Sequence, residues 1–213
     1  MRALDWSILW QYRDALLSGL LTTLWVSAVG VVTSTAAGVL VGCLGALPLR
    51  LARRFAGTYT GFLRNLPMIV KLFFLYFVLG LPAFPAALLA LMLHQSAYIA
   101  DVVSAGIRSV SRGQIDAALS LGLKWQQVFR LILLPQVLRI VMPPLTTQYV
   151  AVVKNSSVAS LIAIPDLTYE TQGINVETFR GFEAATAATA LYVVIALAVI
   201  GGMSALASRL GTR

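Results

Sequence analysis

Apolar residues in this chain gather in long blocks, without the two-residue alternation of a half-buried strand. Five of these blocks approach the roughly 20 residues a helix needs to cross a bilayer. The first, 17–47, carries no charged residue and stops before Pro48; within it Gly38 and Gly42 stand one helical turn apart. That spacing permits close approach of a neighbouring helix, and packing inside the chain is favoured over a dedicated dimer seam. The second block, 59–81, carries Arg64 and Lys71 with Pro67 between them, and the third, 86–107, includes His94, Gln95 and Asp101. Pro135, Pro143, Pro144 and Lys154 interrupt the fourth, 131–164, which is therefore expected to be bent or broken. A polar stretch, 165–183, reads as a loop holding Asp166, Glu170, Glu177 and Glu183, and the fifth block, 184–207, is uncharged. The pattern predicts an all-α polytopic membrane protein with five transmembrane helices in a single transmembrane domain over 1–213, without a repeat or a second domain.

Composition decides between membrane and soluble readings. With 59% hydrophobic and 11% charged residues the chain has too little polar surface for a soluble globule of this size. A net charge of +8 would favour nucleic acid in a soluble protein, but here the basic residues cluster in the links. Arg50, Arg53 and Arg54 follow the first block, Arg108, Arg112, Lys124 and Arg130 follow the third, and Arg209 and Arg213 follow the fifth. Placing these inside predicts an outside N-terminus and a cytoplasmic C-terminus in a multi-pass membrane protein, with the acidic stretch 165–183 outside. The first 20 residues lack the pattern of a cleaved signal and read as an interfacial lead-in. Cys43 stands alone, so no internal disulfide forms, and a lone His94 supplies no metal set. No G-x-x-x-x-G-K-[ST] occurs, so the chain has no phosphate cradle of that kind.

Between the third and fourth blocks lies a helix-forming, moderately basic stretch, 112–130, expected to be cytoplasmic. Ala118, Leu121, Trp125 and Val128 recur at helical spacing, predicting a small amphipathic helix that lies on the membrane and offers its other face to a partner. Gly122 is a hinge candidate, and Pro135 a breaker or kink.

The residue order in this stretch carries more. Asp116-Ala117-Ala118, three residues, Gly122, then nine residues and Ile132-Leu133-Leu134-Pro135 resembles the cytoplasmic signature of the inner-membrane permeases of bacterial ABC importers, with Asp116 in place of the usual Glu. Arg64-Asn65-Leu66-Pro67 with Lys71-Leu72-Phe73-Phe74, and Ser96-Ala97-Tyr98-Ile99-Ala100-Asp101 with Gly106-Ile107-Arg108, are similar to motifs of the subgroup that transports polar amino acids (histidine, glutamine or glutamate type). Lys154-Asn155-Ser156-Ser157 extends the resemblance. It implies a type I importer permease fold and a translocation path shared with a second permease subunit, a copy or a relative. It also implies a solute-binding protein that delivers the amino acid and cytoplasmic ATP-binding subunits. Asp116, Ala117, Ala118 and Gly122 would transmit closure of those subunits; ATP and magnesium belong to them, and no cofactor or metal to this chain. The chain is thus expected to be a transport subunit without enzymatic activity of its own.

Candidate pathway residues are Arg64, Lys71, Asn155 and Ser156. Ions within a membrane usually face a bundle interior or an aqueous cavity. Seven residues apart, Arg64 and Lys71 would share a face of one helix as a basic ladder. Arg64 either snorkels to the interface or serves the path. Lys71, where the subgroup commonly has Gln, either tunes a pocket to an anionic substrate or pairs internally, for instance with Asp101. Asn155 and Ser156 suit an amino acid's ammonium and carboxylate, and equally suit helix-to-helix hydrogen bonding. The alternative from another class is an ATP-independent channel or ion-coupled carrier, motivated by the same intramembrane charges.

Overall fold

The computed structural model describes residues 4–209; the basic end at Arg213 lies outside them. In chain order the elements are α1 (Ser7–Gln11), α2 (Arg13–Ala46), α3 (Arg50–Asn65), α4 (Met68–Phe73) with a π-helical turn Phe74–Val78, α5 (Ala83–Ser109) and α6 (Arg112–Ser120). Then α7 (Trp125–Val128) runs through a π-helical turn Phe129–Leu133 into α8 (Leu134–Ser156) and a 3₁₀ turn Ser157–Ile162, followed by α9 (Leu167–Thr178) and α10 (Gly181–Arg209). Among the described residues there is no strand. Four runs are long and apolar enough to span: Arg13–Ala46, Ala83–Ser109, Trp125–Ile162 and Gly181–Arg209. The broken pair Arg50–Asn65 and Met68–Val78 makes a fifth if it is counted as one span.

Four expectations change. The second block is not one rod, because Pro67 has no N–H and biases Leu66 away from helical geometry, so α3 ends at Asn65 and α4 starts after Pro67. Nor is the arginine-rich stretch before it a link. It forms the first turns of α3, an amphipathic helix that buries Ala56, Thr60 and Leu63 and leaves Arg50, Arg53 and Arg54 exposed. The fourth block, expected to be bent or broken at its prolines, is helical from Trp125 to Ile162. The π-helical turn Phe129–Leu133 ends two residues before Pro135, and the Leu134 N–H closes it on the Phe129 carbonyl. The stretch expected as a polar loop contains α9. Asp166 caps it, its Oδ1 accepting from the Tyr169 N–H at 2.8 Å, and buried Leu167 and Ile174, two turns apart, anchor it.

Contacts group the chain into two compact units. One holds the residues up to Val32, Leu66–Met92 and Val150–Ala198; the other holds Thr33–Asn65, Leu93–Tyr149 and the residues from Val199 on. The first unit has three apolar clusters, centred on Leu72 with Ala86 and Ile164, on Leu167 with Ile174 and Ala184, and on Val26 with Leu91 and Val152. In the second, Ile99 and Val103 of α5 pack with Leu133, Val137 and Val141, while Val41, Ala56 and Ala100 form a smaller group.

Lipid is as apolar as a side chain, so helices in it are held by packing and hydrogen bonds and not by expulsion from water. The second unit shows what that requires. A Cβ at Gly38 would come within 2.6 Å of Ile99 Cβ, and one at Gly42 within 2.7 Å of the Ala100 carbonyl oxygen. The glycine pair therefore seats α2 against α5 of the same chain, as the spacing suggested. Gly42→Ala is expected to lower stability by about 1–3 kcal/mol, the usual cost of overpacking, read by thermal unfolding in detergent. Gly201→Ala, where nothing lies within 4 Å of the added carbon, should leave the midpoint unchanged.

Candidate functional site

The Arg64 side chain does not extend alone to the interface. It forms an ion pair with Asp101 of α5, and its guanidinium lies 5.1 Å from the centre of the Tyr98 ring, one turn before Asp101. His94, a further turn back, meets Tyr98 edge-on at 5.3 Å. Both ions remain nearly half exposed, and Arg64 borders a cleft of about 310 Å³ with Thr60, Gly61, Asn65 and Tyr98. Arg64 and Tyr98 border this cleft, and Asp101, paired with Arg64, lines a separate small cavity; the cation, the anion and the ring match the charges of a small zwitterion, guanidinium to carboxylate and carboxylate to ammonium. Asp101, considered above as a partner for Lys71, is thus engaged by Arg64. Its role and that of Tyr98 were not assigned from sequence, although an acid one turn from a tyrosine inside an apolar block was the signal available.

Lys71, Asn155 and Ser156 belong to the first unit and Arg64 to the second. The break at Pro67 removes the single helix face on which a ladder of Arg64 and Lys71 was expected. Lys71 is only 5% exposed, on the face of α4 that also buries Met68 and Leu72. A lysine held that deeply is costly in lipid. Asn155 is half-buried. Ser156, by contrast, has its hydroxyl in helix packing: it accepts from Ser27 Oγ of α2 at 3.2 Å and donates to the Val153 carbonyl at 2.8 Å. Hydrogen bonds of the same kind tie the second unit, where buried Gln95 donates to Gln148 Oε1 at 2.6 Å and Thr35 donates to Tyr149 OH at 3.1 Å.

The connector is two short helices with a defined turn, not one amphipathic helix. The Leu123 N–H bonds the Ala118 carbonyl at 3.2 Å and the Gly122 N–H bonds the Leu119 carbonyl at 2.9 Å. These two bonds are a Schellman closure, and its αL position falls on Gly122, at φ +85°. The chain restarts at α7, where the Lys124 N–H is taken by Gln127 Oε1 at 2.8 Å. The predicted stripe consequently splits. Ala118 and Val128 are buried, whereas Leu121 and Trp125 are 81% and 56% exposed, because helical spacing does not carry through a left-handed turn. Asp116, Ala117, Leu121 and Gly122 make one exposed edge, and the space above Gly122 is open.

Known proteins match this arrangement along nearly its whole length. Residues 13–212 match the family described as binding-protein-dependent transport system inner membrane component. The chain belongs to this family. It is 33% identical over 211 residues to the probable glutamine ABC transporter permease of Bacillus subtilis, covering 96% of this chain and 97% of that one. To the glutamine transport system permease of Escherichia coli it is 30% identical over 200 residues, 91% of each. A solved amino acid ABC transporter with histidines superposes with a TM-score of 0.87 at 28% identity, covering 98% of this chain and 100% of its counterpart. The MetNI methionine ABC transporter, at 18% identity and a TM-score of 0.79 over 94% of this chain and 98% of that one, has the same fold.

In the permease, Asp166 and Glu183 of the acidic stretch are buried, and Glu177 is exposed. Glu183 is 3% exposed, accepting from the Asp5 N–H at 3.0 Å and pairing with Arg180 at 3.2 Å, and Glu177 accepts from Tyr12 OH at 2.8 Å. Asp166 is 1% exposed and its Oδ2 has no hydrogen-bond partner, so burial pushes its carboxyl up to about 6, with the nearby Glu170 adding to the rise against the N–H bonds of Tyr169 and Thr168. The raised value means the folded chain keeps this proton to higher pH than the unfolded chain does. Unfolding then releases it between 3.8 and about 6, and this group's contribution to stability falls as pH rises through that window. Asp166→Asn retains an oxygen for the Tyr169 N–H and removes the buried charge. Its melting temperature should exceed that of the parent at neutral pH and converge on it in acid; a difference independent of pH would contradict the account.

Proposed function

We propose that this permease subunit forms, with a second copy or a related subunit, the path by which a polar amino acid enters the cell. A solute-binding protein delivers the amino acid, and separate cytoplasmic subunits that bind ATP and magnesium supply the energy. The names of the similar proteins support the substrate class, and the Arg64–Asp101 pair beside Tyr98 supports it chemically, since it offers complementary charges to the two ends of a zwitterion. Lys71 and Asn155 line the path in this reading, and Ser156 holds α8 to α2 beside them. The basic ends of the spans support an outside N-terminus and a cytoplasmic connector.

The observation that carries the coupling role is the exposed edge Asp116–Ala117–Leu121–Gly122, closed by a turn that only a residue tolerant of φ +85° fits readily. Such an edge is rigid, small-residued and open above its glycine, as a ball entering a partner's groove must be. Gly122→Trp fills that space without touching the membrane spans. Uptake by the assembled importer should fall at least about tenfold, equivalent to about 1.4 kcal/mol of lost coupling, while membrane insertion stays normal. Uptake at the parental rate, or gradient-driven transport by the purified chain alone in liposomes, would refute the coupling role.

Lys71→Gln tests the path separately. Replacing a buried cation by an amide should weaken the preference for an anionic over a neutral amino acid in competition uptake. An unchanged order of preference and affinity would remove Lys71 from the specificity determinants.

A further inference from the structure

We propose that the permease holds one anionic phospholipid of the surrounding bilayer at the corner where α2 ends, with its phosphate on Arg53, Arg108 and Arg112 and an acyl chain in the adjoining apolar cleft. The inference goes beyond the transport reading, because it concerns the solvent of the protein and not its cargo.

Three arginines from three elements converge there. A cleft of about 350 Å³ is bordered by Arg53 of α3, Arg108 of α5 and Arg112 of α6, together with Leu47, Pro48 and Asp116. It shares Ala46, Leu47, Pro48, Arg108, Arg112 and Ile115 with a larger cleft of about 530 Å³. The remaining wall of the larger cleft is almost wholly apolar, with Cys43, Ile107, Val110, Phe129 and Leu133, and with Trp125 at its side. One end is thus strongly cationic and the other greasy.

The cationic end is not neutralised from within. No ion pair among the described residues includes Arg53, Arg108 or Arg112. Asp101, which borders a small neighbouring cavity with Arg53 and Arg108, is held by Arg64. Arg108 donates to the Gly45 carbonyl at 3.4 Å, a long bond that engages one nitrogen only. Against three guanidinium groups stands the single Asp116 carboxylate, leaving an excess of positive charge suited to a phosphodiester, which arginine forks bind two oxygens at a time.

Placement selects a lipid over a soluble anion. The corner lies where α2 stops at Ala46 and α5 at Ser109, the ends of two membrane spans, at the depth of headgroup phosphates. A soluble phosphate would have no use for the apolar trough, whereas an acyl chain fills it. Half-exposed Trp125 suits the same depth, since indole prefers the boundary between tails and water. A lipid seated here touches both the spans and the connector, because Arg112 and Ile115 lie on α6 and Trp125 opens α7. Bilayer charge would then bear on how firmly the connector is held.

The test uses the whole importer with its natural partners. In native mass spectrometry from mild detergent, the complex should retain phosphatidylglycerol at least about tenfold better than phosphatidylcholine, and Arg53→Gln/Arg108→Gln/Arg112→Gln should reduce that preference to near one. Equal retention of both lipids by the parent, or undiminished preference in the triple variant, overturns the site. Should the triple variant fail to assemble, the parent decides alone. Cys43, the only cysteine of the chain and exposed in the cleft, should react with a maleimide several-fold more slowly in phosphatidylglycerol nanodiscs than in phosphatidylcholine nanodiscs. Equal rates overturn the proposal, as does equal protection by inorganic phosphate in phosphatidylcholine, which would make the corner a site for a free anion.

Discussion

Close approach of α2 to α5 is the constraint from which the second unit follows. With no water to squeeze out between helices, contact distance sets the energy, and contact distance here is set by Gly38 and Gly42 against Ile99 and Ala100. Once α5 is seated, its next turns are fixed: Tyr98 and Asp101 face Arg64, Gln95 reaches Gln148, and Arg108 arrives at the end of α2. The charged site, the amide tie to α8 and the basic corner are thus consequences of one helix seam. Moving α5 by the width of a methyl group would disturb all three.

The connector is governed by a different constraint, the conformational demand of one residue. The Schellman closure at Gly122 satisfies carbonyls that the end of α6 would otherwise leave open, and it turns the chain so that Leu121 and Trp125 leave the face that buries Ala118. A continuous helix would keep Leu121 and Trp125 in register with Ala118; the left-handed turn breaks that register.

Much of this was legible in the sequence, for stateable reasons. Long uncharged blocks admit few readings other than spans, and the order from Asp116 to Pro135 named the connector by its resemblance to the permease signature, while the left-handed turn at Gly122 and the restart at α7 split the single helix expected there. Paired glycines predicted close packing because only they permit it. Other features depend on partners far along the chain. Arg64 meets Asp101 across 37 positions, and nothing local chose Asp101 over other acids. The helix α9 was hidden by polar composition, its burial resting on Leu167 and Ile174. Pro67 was visible, but whether a proline kinks a helix or begins a new one is decided by the packing on either side.

The π-helical turn Phe129–Leu133 has a geometric consequence of its own. Such a turn is an α-helix that has accepted one extra residue, and each residue of an α-helix advances it by about 100°. Everything on its N-terminal side, α7 and the connector included, is therefore dialled about a quarter turn around the axis of α8 from where an uninterrupted helix would carry it. The direction in which the connector leaves α8 is thus a one-residue setting. A single deletion within the turn would act as a rotation more than as a shortening.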